Sequence, residues 1–174
     1  MKKQLFLLRH AKSSWDDLSI PDHDRPLSKR GRKAAAAIRQ LIQSESINPD
    51  LIYVSGAIRA MQTLQRLEPW AKPPKVEVRE ELYMADAPEI LQSLREVPDT
   101  ARSVLLIGHN PGLQDLAVLL IGGREHATGD ALGRRLADAY PTGALAQFAF
   151  EGSWSRIGRG SERLTRFVAP RDLK

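Results

Sequence analysis

The sequence has no cysteine. That excludes a disulfide framework, a thiolate nucleophile and a cysteine-ligated zinc site, and it leaves the compartment open. It also has no apolar run long enough to span a bilayer. Met1-Lys2-Lys3 followed by Leu5 to Leu8 imitates the start of a signal peptide, but Arg9 and His10 cut the apolar stretch short. The expectation is therefore a cytoplasmic protein with no membrane partner. Internal repeats, low-complexity segments and dividing linkers are missing as well, so a single domain over residues 1–174 with one core is expected.

What is present is an ordinary globular composition, 42% hydrophobic and 27% charged, far from the signature of disorder. A formal charge of +5 favours anionic partners in general. The basic residues are scattered. Their densest runs, Lys29-Arg30 with Arg32-Lys33 and then Arg156, Arg159, Arg163 and Arg166, read as solvated faces, and no nucleic-acid partner is expected.

Strand and helix signals alternate along the chain, which predicts a mostly parallel central sheet flanked by helices in a three-layer α/β sandwich. Residues 4–8 form the first strand. After a polar loop, Ser28 caps a helix over 29–44, in which Ala34, Ala35, Ile38, Leu41 and Ile42 repeat at helical spacing. Asn48-Pro49-Asp50 is a turn into a second strand, Leu51 to Val54. Ser55-Gly56 then leads to a helix carrying Ala57, Met61 and Leu64 and limited by Pro69. Val76 and Val78 mark a short edge strand. Asp86 and Pro88 open a helix with the stripe Ile90, Leu91, Leu94 and Val97. A strand over 103–107 meets Asn110-Pro111, a helix start whose stripe runs from Leu113 to Ile121 and stops at Gly122-Gly123. A helix is expected around Leu132 to Ala139, and two final strands at Ala144 to Phe150 and Arg163 to Val168.

The first strand stops at Arg9-His10, and the strand ending at Ile107 stops at Gly108-His109. Open parallel sheets bind ligands beyond the carboxyl ends of their strands, so the two imidazoles are expected to meet. Arg9, beside the first histidine, and Arg59, just past another strand, point to a phosphate.

Four groups of residues then stand in order, each at a predicted strand-to-helix junction. They are Arg9-His10-Ala11, Arg25-Pro26-Leu27-Ser28 with Gly31, Ser55 to Arg59 with Gln62-Thr63, and Gly108-His109-Asn110-Pro111-Gly112. Together they resemble the histidine phosphatase superfamily, also called phosphoglycerate-mutase-like, and within it the short SixA-like branch of phosphohistidine phosphatases. The resemblance runs from residue 4 to about residue 122. It implies a phosphatase that works through a covalent phosphohistidine on His10, with Arg9, Arg59 and His109 binding the phosphoryl oxygens and with neither metal nor cofactor. Imidazole suits the nucleophile's role because it is largely neutral near physiological pH, and its second nitrogen should donate to a carbonyl that fixes the tautomer. Charge spread over the transferring phosphoryl makes positioning and electrostatics the main work of the site.

Departures from the pattern bear on substrate. Ala11 stands where most of the superfamily has glycine, in agreement with one variant of the SixA-like branch. Larger members use an acidic residue as general acid; Glu81 is the best positional match, with Glu80 and Asp16 as rivals and a solvated glutamate as the plain alternative. A weak signal for the acid slightly favours phosphohistidine, because a departing imidazole is a much weaker base than an alkoxide and the acid can be dispensable. Short intervals between the motifs imply an open cleft. The expected partner is a phosphorylated protein such as a phosphotransfer domain, or else a small phosphorylated substrate; a mutase fits the short chain less well, and a non-catalytic phosphate-recognition module is the rival of another class. His23, between Asp22 and Asp24, lacks metal-ligand spacing, so no metal site is expected. Trp15, in the loop 12–27, either contacts a partner or folds onto the core.

Overall fold

The computed structural model describes residues 2–127 and 129–173. In chain order it runs β1 (Lys2–Arg9), α1 (Lys29–Ser44), β2 (Leu51–Val54), α2 (Ile58–Gln65), β3 (Lys75–Val78), α3 (Ala87–Arg95), β4 (Ser103–Gly108), α4 (Gly112–Leu120), α5 (Arg124–Ala127), α6 (Ala131–Asp138), β5 (Leu145–Glu151) and β6 (Arg163–Val168). The six strands form one sheet in the order β3-β2-β4-β1-β5-β6. Only β5 runs against the others, since it pairs antiparallel with both β1 and β6. This is the expected mostly parallel sheet, with one reversed strand near an edge.

Strand alternation divides the core into two layers. Leu5, Leu7, Tyr53, Val104 and Leu106 face one side, where they pack with Ile90 and Leu94 of α3 and with Leu113 and Leu116 of α4. Their neighbours Phe6, Leu8, Ile52, Val54, Leu105 and Ile107 face the other, against Ile38 and Ile42 of α1 and Leu64 of α2. Side chains that alternate across a strand and are buried on both faces explain why these strands read as continuous apolar runs.

Local signals act as anticipated at the helix starts. Ser28 Oγ accepts from the Gly31 amide at 3.0 Å. Asp86 and Glu89 make a reciprocal capping box at the head of α3, each such cap being worth about 1 kcal/mol. Several details differ from expectation, the strand ends of β4 and β5 by one residue each. β1 extends to both sides of residues 4–8 because pairing with β5 continues to Lys2↔Glu151 and pairing with β4 continues to Arg9↔Gly108. The helix after β4 begins at Gly112, and Asn110 Oδ1 reaches the Gln114 amide from one position further out than a normal cap. The stretch after Gly123 holds α5 as well as the expected helix, which is α6.

Candidate active site

The parallel pairing of β1 and β4 ends with Arg9 opposite Gly108, so the next residue on each strand is a histidine. This register brings the imidazoles of His10 and His109 to a centroid separation of 5.0 Å with their planes tilted by 55°. Both are buried. They sit at the foot of a cavity of about 310 Å3, whose walls include Arg9, Lys12, Trp15, Asp22, Arg25, Arg59 and Met84.

Hydrogen bonds assign the tautomers. His10 Nδ1 lies 2.7 Å from the Ala11 carbonyl oxygen, which can only accept, so Nδ1 carries the proton and Nε2 keeps its lone pair. The Nε–H of Arg59 donates to that lone pair at 3.3 Å. Burial is the main influence holding the His10 pKa down to about 4; the Ala11 carbonyl works against it, and the cations Arg59, Arg9 and Arg25 work with it. The imidazole is therefore neutral at physiological pH, the form in which nitrogen is nucleophilic.

His109 is set by Ser55, at the end of β2. Ser55 Oγ accepts from the Ala57 amide at 3.2 Å and lies 2.8 Å from His109 Nε2. No other acceptor serves the hydroxyl among the described residues, so it donates to Nε2 and the His109 proton sits on Nδ1. That Nδ1 is buried and has no protein partner. Burial first, then the neighbouring His10 and Arg59, bring the His109 pKa down to about 3, with Asp22 opposing. The result is a neutral imidazole lining the cavity with an unpartnered Nδ1–H, its ring centre 5.0 Å from that of His10.

The arginines come from three elements. Arg9 ends β1 and donates from Nη1 to the Tyr140 carbonyl at 2.9 Å, while its Nε is buried without a partner. Arg59 lies in the first turn of α2 and is almost fully buried. Arg25 closes the loop 12–27, whose base is zipped by the bridge between Ser13 and Leu27 and by the Ser28 amide on the Lys12 carbonyl. Its Nη1 donates to Ser13 Oγ at 2.6 Å and to the Ser14 carbonyl at 3.2 Å. Its guanidinium carbon stands 3.6 Å from the centre of the Trp15 ring. Trp15 thus stays 64% exposed at the cavity mouth and does not fold onto the core. Thr63 ties these parts together, since its Oγ1 accepts from the Ala11 amide at 3.0 Å and donates to the Arg59 carbonyl at 2.7 Å.

The structure brings together Arg9, His10, Arg59 and His109 from the residues singled out in the sequence. It does not bring Glu81. That carboxylate is 57% exposed and paired with Arg79 at 3.3 Å, in a cluster with Glu77 and Glu96 outside the cavity. It sits in a short 3-10 turn over Glu80–Leu82 after β3 and does not line the cavity. Glu80, its rival, is held by His23 Nε2 at 2.9 Å and packs against Gly56, where any Cβ would lie 1.7 Å from its Oε1. Asp16 does not line the cavity either. The carboxylate that does is Asp22, which sequence reasoning passed over together with Arg25 as a site residue. Their signal is faint: an Asp-x-x-Arg spacing that ends on the first residue of the second motif. Asp22 Oδ2 accepts from Tyr83 Oη at 2.5 Å and from Arg59 Nη2 at 3.1 Å, and Oδ1 accepts from Arg25 Nε at 3.1 Å. The Tyr83 hydroxyl, then Arg59 and Arg25, hold its pKa down to about 2 against the effect of burial. No metal-ligating cluster of His, Asp or Glu is found among the described residues.

Two neutral imidazoles ringed by three guanidinium groups can receive a phosphoryl group, with one nitrogen to attack phosphorus and the other to donate to its oxygens. Comparison with known proteins agrees with that chemistry. Residues 5–88 match the model of the histidine phosphatase superfamily (branch 1). An uncharacterized protein of Mycobacterium tuberculosis is 32% identical over 94% of this chain and all of its own length. Two solved structures are similar throughout. The SixA protein of Nakamurella multipartitia is 28% identical with a TM-score of 0.83, covering 98% of this chain and 97% of its own. The SixA protein of Agrobacterium tumefaciens is 29% identical with a TM-score of 0.81, covering 97% of this chain and 98% of its own.

Proposed function

The chain belongs to the histidine phosphatase superfamily, in its SixA-like branch, and from that premise we propose that it removes phosphate from protein phosphohistidine. The SixA relatives are designated, provisionally, phosphohistidine phosphatases. In the proposed reaction His10 Nε2 attacks phosphorus as the bond from phosphorus to the substrate's imidazole nitrogen breaks. The departing imidazole takes a proton from water. A second water then attacks phosphorus, the bond to His10 breaks, and inorganic phosphate leaves. Arg9 and Arg59, the Arg25 guanidinium and the His109 Nδ1–H hold the equatorial oxygens, where charge accumulates.

One observation carries the choice of substrate. The carboxylate in the cavity wall, Asp22, is ionised and already accepts three hydrogen bonds, while Glu81 stands outside. An alkoxide leaving group would lack its proton donor, a contribution of roughly a hundredfold or more in rate. Imidazole is a much weaker base and departs with a proton from water, without a positioned acid. The exposed Trp15 and Met84 at the mouth suit a partner that is itself a folded protein.

The test is phosphate release, with EDTA present, from a histidine-phosphorylated phosphotransfer protein and from p-nitrophenyl phosphate, comparing wild type with His10→Ala. Release from the protein that depends on His10 and exceeds ester hydrolysis supports the reading. Ester hydrolysis alone would keep the mechanism and discard the substrate. Phosphate binding without turnover of either would make the protein a recognition module.

A further inference from the structure

We propose that Asp22 is a built-in counter-anion of the phosphate cradle: it positions Arg59 and weakens the hold on free phosphate, so that the product departs. This rests on the phosphatase reading above. Four permanent cations line the cavity, Arg9, Lys12, Arg25 and Arg59, whereas its two histidines are neutral. Asp22 supplies the one carboxylate among the described lining residues.

Its contacts are placed for both tasks. The Asp22 carbonyl accepts from Arg59 Nη1 at 2.6 Å and its carboxylate accepts from Nη2 at 3.1 Å, so both terminal nitrogens of Arg59 rest on one residue. Its Nε–H faces His10 Nε2, and one N–H on each terminal nitrogen remains for a phosphoryl oxygen. Asp22 thereby fixes the plane in which the guanidinium meets the nucleophile. The same carboxylate takes the Nε–H of Arg25. A phosphoryl group entering the cavity must share two arginines with an anion that is already bound to them, and it feels the repulsion of that charge across a few ångströms of partly dry space.

Such a penalty falls unequally on substrate and product. A phosphoprotein makes further contacts outside the cavity that offset it, whereas inorganic phosphate has none. A cradle of arginines alone would retain the product. Proton donation by Asp22 does not account for the arrangement, because the carboxylate accepts from Tyr83, Arg59 and Arg25 and has no proton to give.

The experiment is calorimetric titration with inorganic phosphate of wild type, Asp22→Asn, Asp22→Ser and Tyr83→Phe, each checked for folding by a thermal melt. Asp22→Asn and Asp22→Ser, which remove the charge, should bind phosphate about tenfold more tightly. Tyr83→Phe loosens the carboxylate but keeps its charge, and should stay within about twofold of wild type. A role limited to holding Arg59 in shape predicts the opposite sign, because a loosened guanidinium binds phosphate less well. Equal or weaker binding in whichever charge-removing variant folds would overturn the proposal. Calorimetry needs no turnover, so a protein that hydrolyses neither test substrate would fail as a phosphatase while the sign of the affinity change was still read.

Discussion

Acidification from about pH 7 to about pH 5 should cost this protein stability through its two buried histidines, by an amount that the site geometry sets. Each has an ordinary pKa of 6.5 when unfolded, and burial lowers it to about 4 for His10 and about 3 for His109. Between those values the unfolded chain binds a proton at each ring and the native protein does not, so the folded state loses ground as pH falls below 6.5. At about pH 5 the difference is about 1.5 pH units per ring, or about 2 kcal/mol each and about 4 kcal/mol together. Other groups also titrate in this range, and a comparison removes them. Urea unfolding of wild type and of the double variant His10→Asn with His109→Gln, at both pH values, isolates the two rings. Asn keeps a donor for the Ala11 carbonyl, and Gln keeps an acceptor for Ser55. The variant should lose about 4 kcal/mol less than wild type on acidification. Equal losses in the two proteins would refute the account of both rings as neutral and buried.

Three further outcomes are expected. Ser55→Ala removes the hydroxyl that places the His109 proton on Nδ1, and kcat for the preferred substrate should fall by about tenfold, the worth of one buried hydrogen bond; an unchanged kcat would mean that the tautomer is set otherwise. Glu81→Gln should change the hydrolysis of an alkyl phosphate such as glycerol phosphate, whose alkoxide needs a proton, by less than about twofold, whereas a fall of about a hundredfold would restore Glu81 as the acid. Gly31→Ala should destabilise the fold by about 2 kcal/mol in a thermal or urea melt, because the added Cβ would lie 2.0 Å from the Lys12 carbonyl oxygen and either α1 or the loop base must move; a neutral effect would show that this contact relaxes freely.

Much of the frame was written locally. Apolar pairs such as Leu5 with Leu7 and Phe6 with Leu8 assign themselves to opposite faces of a strand. Ser28 and Asp86 announce their helices, and His10 and His109 stand at strand ends whatever the sheet order. Those signals depend on neighbours a few positions apart, so periodicity and capping chemistry reveal them. The first four site residues were legible for the same reason. Tertiary structure alone decided the register that sets Arg9 opposite Gly108, the reversal of β5, the turn that leaves Glu81 outside the cavity and the tautomer of His109. It also decided the place of Asp22, whose partners Arg59 and Tyr83 lie 37 and 61 positions further on. A loop residue has no period to betray the face it turns inward, and its contacts exist only after the strands have closed their distance, so the sequence determines the parts of the site and the fold determines which carboxylate meets them.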